Sequence, residues 1–280
     1  MNNRKGVCRV IARVFPTRTS VTPIDNHAYY GEPDLFTPVY DEVHISTTFT
    51  WDIPYARQLA IQWGYHAKKV KVGGVAIDGE SDQPFIAGMY LKKGITITSR
   101  GCSNKCSFCM VRRGLIEFDD FPEGNIIQDN NILACSDRHW QLVLSMLKKQ
   151  KAIEFKGGLE KHRVTSKIAE DLRGLRIKSL WLACDQPSGI EPLRKAVKIL
   201  NAAGFNRNNI YCYVLIGNDM GENENRLNEV LKIGTKPFAQ LFKNKDDSIS
   251  YSKEWKQFSR KWSRPACYYG LVKIMEKEAE

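Results

Sequence analysis

Two kinds of hydrophobic periodicity alternate along most of the chain. In the first third, short apolar runs predict strands at 8–15, 42–48 and 69–76. Between the last two, apolar residues at helical spacing predict a helix over 52–63, which ends at a glycine. A strand–helix–strand unit of about 30 residues favours a parallel sheet.

The same alternation continues from Gly94 to about residue 242. The pattern predicts strands at 94–99, 152–155, 179–184, 210–216 and 237–242, and helices at 139–150, 166–172, 190–203 and 222–232. Strands separated by helical crossovers predict an α/β fold, either a barrel or an open sheet. The tail from 243 onward is polar at first and then aromatic and basic.

Composition narrows the class of protein further. The chain has 280 residues, of which 42% are hydrophobic and 26% charged, so a disordered, collagen-like or coiled-coil protein is excluded and one or two globular domains are expected. The formal net charge of +11 favours an anionic partner such as nucleic acid or a nucleotide. A basic surface without a dedicated partner explains the charge equally well.

The sequence also predicts the compartment. No run of 18 apolar residues is present, so no membrane partner is expected. The first residues are basic but lack the long apolar core of a signal peptide, and a cytoplasmic protein is therefore expected.

Three of the eight cysteines form a dense motif. Cys102, Cys106 and Cys109 have C-x3-C-x2-C spacing directly after a predicted strand. Three thiolates on one loop can hold three corners of a metal cluster. A zinc site would usually take a fourth protein ligand from a paired motif, whereas three ligands suit a [4Fe–4S] cluster with one open iron.

This motif resembles the signature of the radical S-adenosylmethionine (SAM) superfamily, including an aromatic residue, Phe108, before the last cysteine. A second segment agrees with the resemblance. After the next predicted strand, Gly157, Gly158 and Glu160 form GG-x-E, which looks like the GGE-type motif of that family. Glycines allow close approach of the backbone to a ligand, and the glutamate offers an acceptor for the SAM ammonium group.

The resemblance implies a fold and a chemistry. The fold would be a partial (β/α)6 TIM-like barrel, with the cysteine loop after its first strand. The three cysteines would bind a [4Fe–4S] cluster, and SAM would bind the open iron. Reductive cleavage of SAM would give a 5′-deoxyadenosyl radical that abstracts hydrogen from a substrate, with electrons from a flavodoxin- or ferredoxin-type reductant.

Other SAM contacts are less specific predictions. Asp185 at a strand end could face the barrel centre, or it could serve a turn or cap. Arg194 could pair with the SAM carboxylate, although an exposed helix face suits it as well. Phe108 could lie against the adenine or pack in the core. Asn130 and Asn131 could face a substrate, but turn or capping roles are favoured.

The layout also resembles radical SAM proteins with a cobalamin-binding-type domain in front, and methylthiotransferase-type enzymes. It implies a small Rossmann-like lobe at 1–93, a radical SAM barrel at 94–242 and a C-terminal cap at 243–280. The cobalamin motif D-x-H-x-x-G is absent, because Asp41 and His44 have D-x-x-H spacing. Cobalamin is therefore not expected, and His44 is interpreted as a core histidine.

The remaining cysteines do not suggest a second cluster. Cys135, Cys184 and Cys212 lie on separate elements and are interpreted as buried hydrophobic residues. Methylthiotransfer through a second iron–sulfur centre is accordingly not expected.

The C-terminal segment 255–269 interleaves aromatic residues with four cations, Lys256, Arg260, Lys261 and Arg264. Cations attract phosphates and aromatic rings stack on bases, so these residues are candidate nucleic-acid contacts. A cap that turns its Trp and Phe side chains inward is the alternative, and both can hold together.

Two alternative functions remain open. One is a non-catalytic iron–sulfur or zinc protein that binds nucleic acid. The other is a cobalamin-dependent radical SAM methyltransferase.

Overall fold

The computed structural model describes residues 10–77, 88–111, 114–268 and 270. The fold is α/β with parallel sheets. The described residues divide into two compact units. One contains the residues up to Lys93 together with Lys245–Ser248, and the other contains Gly94–Asn244 and the residues from Ile249 onward. The predicted strand at 8–15 begins outside the described residues.

The first unit is a four-stranded parallel sheet with a helix on one face. Its strands have the order β2-β1-β3-β4. The elements are β1 (Ile11–Phe15), β2 (Ala28–Tyr30), β3 (Glu42–Ser46), α1 (Ile53–Trp63) and β4 (Val70–Gly73). Leu59 and Trp63 of α1 are buried in a core with Val14, Val43 and Ile45 of the sheet. Alternate strand residues therefore face the helix, and on the other face of β3 Glu42 and His44 are buried as well.

His44 is a core histidine, as its position on a strand predicted. It is buried, and its Nδ1 lies 2.7 Å from the Tyr90 hydroxyl while its Nε2 lies 2.9 Å from Glu42 Oε2. Lys71 pairs with the same glutamate at 2.7 Å. The strand predicted at 69–76 ends early at Gly73, because Gly74 has a φ of +109° and lies against the backbone of Thr47.

The second unit contains the remaining elements in nearly regular alternation. They are β5 (Gly94–Thr96), β6 (Ser99–Arg100), β7 (Ile116–Glu117), β8 (Gly124–Ile127), α2 (Asp137–Leu147), β9 (Ile153–Phe155), α3 (Ser166–Arg173), β10 (Ile177–Ala183), α4 (Ile190–Ala202), β11 (Ile210–Ile216), α5 (Met220–Lys232), β12 (Lys236–Leu241) and α6 (Lys253–Trp262).

Six of these strands form one parallel sheet in the order β5-β8-β9-β10-β11-β12, so each strand pairs with its neighbour in the chain. Helices α2, α3, α4 and α5 connect successive strands from β8 to β12. Three of these helices begin with a side-chain N-cap. In each, the capping side chain accepts a hydrogen bond from the backbone N–H of the third residue after it; the capping residues are Ser136, Thr165 and Asp219. The connections are therefore encoded locally.

Two strand features differ from the predictions. Strand β8 was not predicted, and it lies between β5 and β9. The GG-x-E motif therefore follows the third strand of the sheet, and the expectation that it follows the next strand after the cysteine loop is wrong. In addition, β6 and β7 form a small antiparallel pair that joins the two ends of the cysteine loop.

Helix α6 packs its aromatic side into the core of the second unit. Phe258 and Trp262 are buried, as is Tyr268 beyond the helix end. Ser259 and Ser263 donate to the carbonyl of Ala239 on β12. The inward aromatic side chains agree with the cap interpretation. In the part of the chain that is described, no helix has the length and apolar character needed to cross a membrane.

Replacing Trp262 by Ala should lower the free energy of unfolding by about 3–5 kcal/mol, because the indole is fully buried. Chemical denaturation followed by circular dichroism measures this loss. Arg260→Ala on the exposed face of the same helix is the control and should stay within about 0.5 kcal/mol of the parent. Similar losses in both variants would contradict the inward packing of α6.

Candidate functional site: a cysteine loop at the edge of a parallel sheet

The cysteine loop begins at the end of β6 and all three motif cysteines are half-buried. Gly101 takes a φ of +87°, a conformation that favours glycine, and its N–H donates to Asn130 Oδ1 at 2.9 Å. Within the loop, the Cys109 N–H donates to the Cys106 carbonyl at 3.1 Å. The loop is thus connected at its start to the segment that follows β8.

Two of the motif sulfurs accept hydrogen bonds from amides of the loop. The Asn104 N–H lies 3.4 Å from Cys102 Sγ, and the Val111 N–H lies 3.4 Å from Cys109 Sγ. Hydrogen bonds of this kind stabilise negative charge on cysteine sulfur and are a usual feature of iron–sulfur ligands.

Asp129 holds the chain just before the loop. Its Oδ1 accepts from the Thr98 N–H at 2.7 Å, and its Oδ2 accepts from the hydroxyls of Thr98 at 2.6 Å and Ser99 at 2.8 Å. Because the Thr98 hydroxyl donates to Asp129, it accepts from His139 Nε2, 3.0 Å away. One buried carboxyl therefore connects β8 to the start of the cysteine loop.

Burial changes the ionisation of this network. It raises the pKa of Asp129 to about 6, although the hydrogen bonds from Thr98 and Ser99 oppose the shift. Burial lowers the pKa of His139, so its ring stays neutral at physiological pH. The carboxyl is the group of this network that changes charge near neutrality.

The two glycines of the GG-x-E motif serve the packing of the strand ends. A Cβ on Gly157 would lie 2.0 Å from the carbonyl oxygen of Asp129, so a side chain has no room there. Gly158 has a φ of +99°, and the next N–H, that of Leu159, donates to the Trp181 carbonyl at 2.6 Å. The close neighbour of Gly157 is therefore the protein backbone.

Glu160 at the end of this motif is ionised and half-buried. Burial opposes its ionisation, but hydrogen bonds from Asn131 and Asn104 and the charge of Arg163 outweigh burial, so the pKa of Glu160 lies below its ordinary value. Asn131 Nδ2 donates to Glu160 Oε2 at 2.6 Å, and Arg163 Nε donates to the same oxygen at 2.9 Å. A carboxylate held in this way is a suitable acceptor for a cationic ligand.

Asn131 brings the two motifs together. Its Nδ2 lies 3.4 Å from Cys102 Sγ as well as 2.6 Å from Glu160 Oε2. Its Oδ1 is buried without a hydrogen-bond partner among the described residues. A buried acceptor without a donor is costly, so the described residues leave one polar group unsatisfied beside the cysteine loop.

Cys106 and Asp185 also lie near each other. Burial raises the pKa of the Cys106 thiol, and the neighbouring Cys109 and Cys102 and the carboxylate of Asp185 raise it further. Asp185 follows β10, and its Oδ1 accepts from the Leu215 N–H at 3.1 Å. Burial raises the pKa of Asp185 as well. Asp185 is thus bonded to the neighbouring strand β11 and interacts electrostatically with Cys106. It caps neither the 3-10 turn nor the helix that follows it, so the predicted turn or cap role is wrong.

Two other predicted SAM contacts have different environments. Phe108 is half-buried in the cysteine loop. Arg194 is exposed on α4, where it pairs with Glu191 at 3.1 Å and with Glu229 at 3.6 Å. The structure does not bring Arg194 together with the cysteine loop, and its contact with SAM stays a prediction.

The other cysteines agree with their interpretation as small hydrophobic residues. Cys184 and Cys212 are buried and Cys135 is half-buried, and burial raises the pKa of each thiol. The four candidate nucleic-acid residues, Lys256, Arg260, Lys261 and Arg264, are exposed. Lys261 pairs with Glu224 at 3.0 Å.

The donor chemistry of the cysteine loop fits a thiolate-ligated metal cluster. Three thiols lie on one loop, two of the sulfurs accept amide hydrogen bonds, and an unpartnered acceptor lies beside Cys102. Over the residues that are described, no three His, Cys, Asp or Glu side chains already converge as metal ligands. The residues therefore fit such a cluster in the kind and number of their donor atoms. The three sulfurs would come together when the cluster binds.

Sequence reasoning missed Asp129, and it did not predict that Asn131 connects the two motifs. Asp129 follows the unpredicted strand β8, and polar residues after a parallel strand are the signal that could have indicated it. Asn131 was predicted to face a substrate or, with preference, to serve a turn or cap. It precedes a 3-10 turn, yet its side chain makes no capping hydrogen bond there.

Comparison with known proteins gives no family for this chain. No protein-family model matches it, and no curated protein matches it. The resemblance to radical SAM enzymes therefore depends on the residues of the two motifs alone.

Asp129→Asn should change how stability depends on pH in the metal-free protein. The folded state raises the Asp129 pKa from 3.8 to about 6, so it favours the protonated form. The resulting contribution of Asp129 to the free energy of unfolding is fully present below about pH 4 and is lost as the pH rises through about 6. The unfolding free energy of the parent relative to Asp129→Asn should therefore fall by about 1–3 kcal/mol between pH 4 and pH 7.

Chemical denaturation of both proteins at a series of pH values measures this difference. A difference that stays constant from pH 4 to pH 7 would show that Asp129 ionises normally in the folded state.

Proposed function

We propose that this protein is a radical SAM enzyme in which Cys102, Cys106 and Cys109 hold a [4Fe–4S] cluster and Glu160 contributes to SAM binding. One observation supports this most directly. The amide of Asn131 contacts both Cys102 and Glu160, although these two residues are more than 50 positions apart in the sequence. The segments that would hold the cluster and SAM therefore meet at one edge of a parallel sheet.

The order of the strands supports the corresponding barrel. Six parallel strands in chain order, connected mainly by helices, are the arrangement expected of a partial (β/α)6 barrel. The candidate residues follow β6, β8, β9 and β10, and ligands in α/β folds bind at the carboxyl ends of strands. In the first unit, the parallel sheet with α1 supports a Rossmann-like lobe.

The residues of the site then have separate roles. Cys102, Cys106 and Cys109 would hold the cluster, which would supply the electron for reductive cleavage of SAM to methionine and a 5′-deoxyadenosyl radical. Glu160, ionised and half-buried, accepts the ammonium of SAM. Phe108 lies on the cysteine loop where a ring could cover the adenine.

The substrate proposed is a nucleic acid or a nucleotide. Helix α6 buries Phe258 and Trp262, and it leaves Lys256 and Arg260 exposed with Arg264 beyond its end. A cap and a phosphate-binding surface are thus compatible on the same helix. The net charge of +11 supports an anionic partner.

The surroundings of the enzyme follow from the same chemistry. Cluster thiolates require reducing conditions, which supports a cytoplasmic location and a flavodoxin- or ferredoxin-type electron donor. A non-catalytic iron–sulfur or zinc protein that binds nucleic acid is the alternative, and a cobalamin-dependent methyltransferase is less well supported because the D-x-H-x-x-G motif is absent.

Anaerobic reconstitution should load about four irons per chain and give the visible absorption of an iron–sulfur cluster. Cys106→Ser should abolish that absorption, because the cluster loses one of three ligands. Cys267→Ser is the matched control, since Cys267 is exposed outside the motif, and it should load iron normally. Reduced enzyme with SAM should release 5′-deoxyadenosine, measured by liquid chromatography and mass spectrometry.

The metal or cofactor found after reconstitution distinguishes the alternative functions. Zinc without iron would favour the zinc-binding protein, and retention of cobalamin during reconstitution would favour the methyltransferase. An intact cluster that never yields 5′-deoxyadenosine, even with cell extract as a source of substrate, would contradict catalysis.

Changing Arg260 and Arg264 together to Ala should weaken nucleic-acid binding and flatten its dependence on salt concentration, because fewer phosphates are neutralised. Fluorescence anisotropy with labelled RNA and DNA at several salt concentrations measures both effects. Lys195→Ala and Lys198→Ala, on the exposed side of α4, form a control of equal charge change. Equal binding by both double variants would leave α6 with a packing role only.

A further inference from the structure

The Asn131 side chain contacts both predicted motifs, the cysteine loop at Cys102 and the GG-x-E segment at Glu160. We propose that Asn131 is a positioning residue whose amide stabilises the reduced cluster through Cys102 and orients Glu160 for SAM. The inference rests on the proposed function, because it assumes a cluster on the loop.

The orientation of the amide follows from its neighbours. The Asn131 atom 2.6 Å from Glu160 Oε2 has to be Nδ2, since an ionised carboxylate offers no hydrogen for an amide oxygen to accept. The same NH2 group has a second hydrogen, and Cys102 Sγ lies within hydrogen-bond distance at 3.4 Å. Both hydrogens of the amide are therefore used, and each serves a different motif.

The surrounding chain restricts where this side chain can go. Asn131 is 4% exposed, and the residues that follow it, Ile132 and Leu133, are buried in the core. On its other side, Asn130 accepts from the Gly101 N–H and Asp129 holds Thr98 and Ser99. The amide is thus presented to the cysteine loop by residues on both sides of it.

Two consequences follow from the contacts. An N–H group directed at a cluster sulfur stabilises the state with the extra electron, so it raises the reduction potential of the cluster. The hydrogen bond to Glu160, together with Arg163, fixes the carboxylate against rotation. A change at Asn131 should therefore affect the potential and the affinity for SAM together.

Asn131→Leu and Asn131→Asp test the proposal, and both remove the N–H groups. Asn131→Asp keeps the shape of the side chain, so it guards against a variant that does not fold. Asn125→Asp is the matched control, because Asn125 lies on β8 and its amide donates to the Ala152 carbonyl. Circular dichroism and iron content establish that each reconstituted protein is folded and loaded.

The midpoint potential, from an anaerobic titration monitored by electron paramagnetic resonance, should become more negative in both Asn131 variants. The shift should be larger for Asn131→Asp, which adds negative charge beside the sulfur. The Kd for SAM should rise by about 10-fold in both, and Asn125→Asp should match the parent. Loss of iron from a folded Asn131→Leu protein, with the control fully loaded, also supports the contact.

Failure of this inference and failure of the proposed function give different results. If the parent loads no iron, the radical SAM function fails. If the parent loads iron and binds SAM while both Asn131 variants keep its potential and its Kd, the function stands and Asn131 has no positioning role.

Discussion

The second unit depends on a backbone contact that allows no side chain. Gly157 lies against the main chain of Asp129, and a Cβ there would approach the Asp129 carbonyl oxygen to 2.0 Å. This contact draws the ends of β8 and β9 together. From the β8 side, the Asp129 carboxyl reaches Thr98 and Ser99 before the cysteine loop. Three strand ends are therefore held at one edge of the sheet by one glycine and one carboxyl.

Holding the edge in this way has an energetic cost. Burial opposes the ionised form of Asp129 strongly enough to raise its pKa to about 6, in spite of three hydrogen bonds. A neutral side chain would avoid that cost, but it would not accept from the Thr98 N–H and from two hydroxyls at once. The buried carboxylate of Asp129 therefore positions the chain before the cysteine loop but lowers the stability of the protein near neutral pH.

Local pattern was enough to predict the long elements and part of the site. Strand β11 has a continuous apolar run, and α4 has a regular apolar face, so both were found close to their observed bounds. Strand β8 has only two apolar residues after Gly124 and Asn125, too few to give a period. The cysteines were found by spacing alone. Asn131 was not, because its role depends on contacts 29 residues away in both directions.

The contacts of the cysteine loop explain why the three thiols are close in the sequence but do not converge as metal ligands among the described residues. Inside the loop, the Cys109 N–H bonds to the Cys106 carbonyl, while the supports from outside reach its beginning, through Asn130 to Gly101 and through Asn131 to Cys102. The pairing of β6 with β7 joins the two ends of the loop, so Cys106 and Cys109 lie in its middle, away from these supports. In the proposed enzyme, thiols would have to lose protons before they bind the cluster. Because burial raises the pKa of Cys106, cluster binding would be coupled to deprotonation of this thiol. The contacts of Asn131 hold the Cys102 sulfur beside Glu160, and in the proposed enzyme Cys106 and Cys109 would move towards Cys102 when the cluster binds.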